Sequence, residues 1–196
     1  MEKEVIKFWN KFETFEQAWK ACERGDWMLW VVERLGGIHN LDLICTKGHC
    51  TKHIKDLMKD QISKDAVDFA IVYRDLVDTS KLLGLASMAK EASLLTTERA
   101  RRGTGSTSEA NASYAAYFCV SNRTPLYEIA TTIAGAIFEH QIEKGWIKRK
   151  DDNLISYYSS LKQTAVECRG YLTESVLKRV KDLEPLIFKK EVEINV

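Results

Sequence analysis

Proline is nearly absent, with Pro125 and Pro185 the only two in 196 residues, against ten glycines. Interior proline breaks helices, so its scarcity leaves room for long uninterrupted ones. Sustained two-residue alternation of apolar and polar side chains is missing too, except over Val192-Glu193-Ile194-Asn195-Val196. That argues against a core built from sheets. No apolar run approaches the roughly 20 residues that span a bilayer, so no membrane partner is expected. Neither sign of charge is in excess: 29 basic and 28 acidic residues give a net charge of +1. No global field then draws the chain to nucleic acid or an anionic surface, and nucleic acid is not the expected partner. Met1-Glu2-Lys3-Glu4 is charged and lacks the apolar core of a signal peptide. The five cysteines, Cys22, Cys45, Cys50, Cys119 and Cys168, are odd in number and scattered. Together these point to a cytoplasmic protein with reduced, unbridged thiols.

What is present is helical periodicity. Thr14 and Gln17 form a capping box, and Phe15, Ala18, Trp19 and Cys22 fall on one helical face. Gly25 reads as a left-handed stop and Asp26 as the cap of the next helix. Trp27-Met28-Leu29-Trp30-Val31-Val32 is apolar nearly all round, which predicts burial. Three tryptophans near one corner make a packing nucleus.

Further along, the pattern predicts helices from Leu41 to about Met58, from Ser63 or Asp65 to near Gly84, and from Ser87 to about Arg101. Arg102-Gly103-Thr104-Gly105-Ser106-Thr107-Ser108 is the clearest loop, expected to be mobile. Glu109 to Asn122 is helical, with small residues for close approach. Thr124-Pro125 is the strongest helix start, opening an apolar stripe from Leu126 to Phe138. A helix from Asp152 should turn Ile155, Tyr158, Leu161, Ala165 and Cys168 inward. Thr173 to Leu183 is the last, ended by Pro185, with a frayed or extended tail over 186–196. The expectation is an all-α single domain over 1–196, with seven to nine helices packed as antiparallel hairpins. An irregular bundle and a short helical superhelix both fit.

Several stretches can carry chemistry. Cys45, His49 and His53 lie at i, i+4 and i+8, on one face of a helix. Neighbouring members can hold Zn²⁺ through thiolate or neutral imidazole. No second ligand pair follows at finger spacing, and the glutamate of a metalloprotease helix is missing. Cys50 and His53 can meet at i, i+3, without an evident orienting group. The Gly103–Thr107 loop resembles a phosphate cradle in composition but lacks the P-loop lysine. Beside it, Arg99, Arg101 and Arg102 are planar donors suited to phosphates or to an acidic protein partner. Trp146-Ile147-Lys148-Arg149-Lys150 pairs an aromatic with basic residues, but Asp151 and Asp152 offset the charge. Glu139, His140 and Glu143 can form a further polar cluster, though an exposed helix end is the simpler reading.

The corner Trp19-Lys20-Ala21-Cys22-Glu23-Arg24-Gly25-Asp26-Trp27-Met28-Leu29-Trp30 resembles the N-terminal signature of a family of immunity proteins from bacterial polymorphic-toxin systems, related helical proteins being carried by phages and prophages. The likeness runs over about residues 12–35. Cys45 and Cys50 sit where that family has a cysteine-bearing helix, and Ala110 to Cys119 resembles its alanine-rich part. The resemblance implies an all-α protein that acts by binding: an immunity factor, or a phage-borne inhibitor of a bacterial protein. Its partner would be a toxin or other bacterial effector, blocked by occlusion. It carries over no catalytic residues. The alternative from the residues themselves is a small metal-dependent or nucleotide-handling enzyme using Cys45, His49 and His53, with zinc as its cofactor.

Overall fold

The computed structural model describes residues 1–76, 78–121, 125–148 and 154–194, with side chains described up to 183 apart from Leu76. Among them are nine α-helices and no strand: α1 (Glu2–Trp9), α2 (Phe15–Ala21), α3 (Gly25–Leu35), α4 (Asn40–Thr51), α5 (Gln61–Leu76), α6 (Thr79–Arg101), α7 (Thr107–Val120), α8 (Leu126–Glu143) and α9 (Ile155–Ile194). A 3-10 segment, Lys52–Leu57, extends α4. Consecutive helices pack as hairpins, α4 on α5, α6 on α7, α7 on α8. Helices distant in sequence also meet: α3 lies against α8 and α9, and α4 against α7 and α9. A superhelix of repeats contacts only its neighbours, so this is an irregular bundle.

The capping box at Thr14 forms as the sequence predicts. The Gln17 N–H donates to Thr14 Oγ1 at 3.2 Å, and Gln17 Oε1 accepts from the Thr14 N–H at 3.3 Å. The corner that follows is built differently. Gly25 is the first residue of α3 and is absent from the glycines with positive φ. Its lack of a side chain serves close packing: a Cβ there would stand 2.5 Å from Thr164 Cβ and 2.9 Å from the Ala165 nitrogen on α9. Asp26 caps nothing and is buried as the bidentate partner of Arg24, at 2.6 and 2.9 Å. The guanidinium of Arg24 in turn lies over the Trp27 ring. Trp19 is fully buried and donates from Nε1 to Thr173 Oγ1 at 3.0 Å. Trp27 and Trp30 are only half-buried.

α9 is the spine of the molecule. Its inward stripe is Leu161, Thr164, Ala165, Cys168, Leu172 and Val176. Arg169 donates to the Cys22 carbonyl at 2.6 Å, and Arg179 to the Gly36 carbonyl at 3.0 Å. These side chains satisfy carbonyls that helix ends leave open. The two helices expected here are one, running through Gly170 and Pro185 to Ile194 rather than ending in an extended tail. Gly170 faces open space, and its helix penalty of about 1 kcal/mol is outweighed by the buried stripe on both sides. Beyond Pro185 the chain has two Lys, two Glu and no Gly or Pro up to Ile194, so one lost N–H does not stop it. Ile155 and Tyr158, expected inside, are exposed; at this end of α9 it is Tyr157 that packs against the core.

Gly84 does not end a helix either; it sits in open space inside α6, which begins at Thr79 with the Asp78 carboxylate capping the Lys81 N–H. The 102–108 loop is shorter than expected, because Ser106 caps α7 and Thr107 and Ser108 already belong to it. Pro125 precedes α8 rather than starting it. Thr124, Asp152 and the 195–196 end of the tail lie outside the described residues. All five cysteines are free and buried.

Candidate functional site

Of the five leucines of α6, three stay outside. Leu82 is its largest buried side chain; the rest of its buried face is Ala89, Ala92, Ser93 and Thr96. Leu83, Met88, Leu94 and Leu95 are 66%, 48%, 51% and 67% exposed. By helical spacing Leu83 and Leu94 share one line of the outer surface, with Met88 and Leu95 on another about a third of a turn away. Small residues face α7, which lets two helices approach closely. The large apolar residues are left facing solvent.

This surface runs into the corner carrying the sequence-predicted arginines. Arg101 and Arg102 both bind Glu98: Arg101 through Nε and Nη2 at 2.9 Å each, Arg102 through Nε at 2.6 Å. That pairing holds Glu98 below its ordinary carboxylate range. Arg99 binds Glu109, whose other oxygen lies 2.8 Å from Lys59 Nζ. Glu109 is only 2% exposed. Each of the two carboxylates thus serves two cations, and this set of ion pairs keeps an excess of positive charge. The turn between is tied down, with the Thr104 N–H donating to the Arg99 carbonyl at 2.9 Å. Gly103 takes the left-handed conformation, φ 72°.

The structure also supplies a partner that the sequence did not signal. Glu143, at the end of α8, accepts from the Ser108 N–H at 3.0 Å and from Ser108 Oγ at 2.5 Å. Burial raises its pKa, but the hydrogen bonds from Ser108 and its neighbours prevail, and the net shift is downward. A carboxylate at a helix N-terminus is favoured by the aligned peptide dipoles. Glu143 is thereby committed to the start of α7. His140 meets Trp146 edge to face. Arg149, Lys150, Asp151 and Asp152 lie outside the described residues.

Cys45, His49 and His53 are held by three different neighbours. The Cys45 thiol donates to the Ile71 carbonyl at 3.3 Å. The His49 ring stacks on Tyr171, centroids 3.9 Å apart, and burial lowers its pKa first, with the Lys52 charge adding to the effect. His53 Nε2 meets Glu167 Oε1 at 2.7 Å. Among the described residues no three histidine, cysteine or acidic side chains stand together as a metal site. His49 and His53 face neighbouring turns of α9, at Tyr171 and Glu167, while Cys45 is turned toward α5. Cys50 is fully buried, with Cys168 of α9 as its hydrogen-bonding neighbour, and its pKa is raised.

Sequence reasoning passed over Lys47 altogether. It is 4% exposed on the buried side of α4. Its Nζ donates to the carbonyls of Phe118 and Ser121, at 3.1 and 2.7 Å, at the C-terminal end of α7. Burial lowers its pKa to about 8. Its i+4 spacing to Thr51 and position amid Ile44, Cys45 and Gly48 were the available signal: a lysine on an otherwise buried stripe.

Among the described residues no helix is long and apolar enough to cross a membrane. Compared with protein-family models, with curated proteins and with solved structures, the chain matches none.

Proposed function

We propose that the protein acts by binding another protein and blocking it, as an immunity factor or a phage-borne inhibitor of a bacterial protein does. The observation that carries this reading is the exposure of Leu83, Met88, Leu94 and Leu95 on α6. Clustered exposed apolar residues rimmed by polar ones mark interaction surfaces. The adjoining corner of Arg99, Arg101 and Arg102 adds a cationic rim, suited to a partner whose apolar patch is edged by carboxylates. The likeness of residues 12–35 to the immunity-protein signature supports the same class. The partner is a toxin or other bacterial effector.

The test is affinity capture from a bacterial lysate with tagged protein, read by mass spectrometry. Wild type and a Val166→Ser control on α9 should retain one stoichiometric partner. A Leu94→Ser/Leu95→Ser double variant should lose it, and Arg101→Ala/Arg102→Ala should weaken it and flatten its dependence on salt. Equal capture by the leucine variant would show that α6 is not the contact.

A further inference from the structure

A buried ammonium normally has a carboxylate partner, because an unpaired charge is costly to take out of water. Among the described residues Lys47 has none: its hydrogen bonds go to two carbonyls. These place two of its three protons. Lys47 and Ser121 both line an open cleft of about 250 Å³ between the end of α3, the start of α4 and the start of α8. A structural lysine that only capped α7 would not need such a space beside it.

The cleft has a consistent chemistry. Val32, Ile38, Leu43 and Leu126 give it apolar walls. Leu126 opens α8, and the first N–H groups of a helix favour an anion. Gly36 and Gly37, both left-handed at φ 57° and 68°, bring bare backbone to the rim. Glu33 stands exposed at the same rim and disfavours ligands of high negative charge. The volume is below that of a drug-sized pocket.

We infer that this cleft is a binding site for a small monocarboxylate with an apolar body, its carboxylate accepting the remaining proton of Lys47. The ligand supplies the missing counter-charge, and the apolar walls cover its hydrocarbon part. The site is separate from the α6 surface, so its failure and that of the docking reading are independent.

Isovalerate is the probe, with isovaleramide as its uncharged isostere and inorganic phosphate as the competing anion. Binding is read by isothermal titration calorimetry and by transfer NMR of the probe methyl groups. Isovalerate should bind wild type about tenfold or more tightly than isovaleramide or phosphate does, since the charge pair is desolvated. Lys47→Met keeps the side-chain length without the charge, and should weaken isovalerate about tenfold or more. Asn40→Trp, at the exposed start of α4, fills the rim without touching Lys47 and should block the probe; it keeps the test decisive if Lys47→Met does not fold. Equal affinity for isovalerate and isovaleramide, tighter binding of phosphate, unchanged affinity in either variant, or no isovalerate binding would each overturn the assignment.

Discussion

α6 and α7 are neighbours packed on each other, yet they invert the usual relation between composition and burial. α7 carries Ser108, Glu109, Ser113 and a run of alanines, and nearly all of these are inside. α6 carries Leu83, Leu94, Leu95 and Met88, and these are outside. Topology explains α7: it packs against α4, α5, α6 and α8, so small residues fit where four helices converge, while Asn111, Tyr114, Tyr117 and Phe118 stay partly exposed. Its polar groups are satisfied in place, Glu109 by Arg99 and Lys59, Ser113 by Asp60 at 3.1 Å. α6 has covering helices on one side only. Apolar side chains kept on its other side add nothing to the fold, which is why they carry the functional reading.

The sharpest way to break this contrast is to disturb the interior where it is closest. Trp19→Ala should cost roughly 3–5 kcal/mol through lost burial and a residual cavity, measured by chemical denaturation. Trp27→Ala should cost less, since that ring is half-exposed. Gly25→Ala should cost about 3 kcal/mol, because the added methyl meets Thr164 and the α9 backbone. A wild-type denaturation midpoint in Gly25→Ala would show that α3 and α9 are not in tight contact.

Lys47 gives an effect of similar size that depends on pH. Its folded-state value, about 8, lies below its ordinary 10.5. Between those values the unfolded chain binds more protons, so this group's contribution to stability rises as pH rises. Cys22, pushed up to about 11, and Cys119, to about 12, act in the opposite sense at high pH. Subtracting the Lys47→Met profile largely cancels them. The stability difference between wild type and Lys47→Met should therefore shift toward wild type by about 3 kcal/mol from pH 8 to 10.5, at about 1.4 kcal/mol per pH unit. A flat difference would mean that Lys47 is not buried as a charge.

Glu109→Ala should destabilise by about 2 kcal/mol, less than the roughly 3–5 kcal/mol for breaking a fully buried pair, because the half-exposed Arg99 and the exposed Lys59 can return to water. Loss of partner capture without loss of stability in that variant would move Glu109 from the interior to the docking surface. Gly84→Ala, in open space within α6, should stabilise by about 1 kcal/mol; a loss instead would mean that α6 is covered there.

The helical class and helices α2 and α3 were legible in the sequence because capping chemistry and 3.6-residue periodicity are local; α1, Glu2–Trp9, was not read from it. Thr14 and Gln17 specify their box whatever surrounds them. Gly25 was misread because glycine has two uses, a left-handed turn and close approach, and only the position of α9 decides between them. Gly84, read as lying near a helix end, is in open space and only weakens the helix that runs through it. Pro185 misled because one missing donor was weighed as though it were decisive. In the candidate site, the arginines of the 99–102 corner were found as a charge run, but their sharing of Glu98 and Glu109 required the fold. The exposed leucines of α6 were invisible, since periodicity shows that a helix has a face and not that a neighbour exists to cover it. Lys47 was missed because a lysine on a mostly buried stripe looks like a surface residue until α7 ends over it.

The most direct test of the contrast is the double variant Leu94→Ser/Leu95→Ser, compared with wild type in parallel denaturation and lysate capture. Stability should stay within about 0.5 kcal/mol of wild type, as for exposed positions generally, while the partner is lost. A large loss of stability, or a partner retained at full stoichiometry, would contradict the contrast.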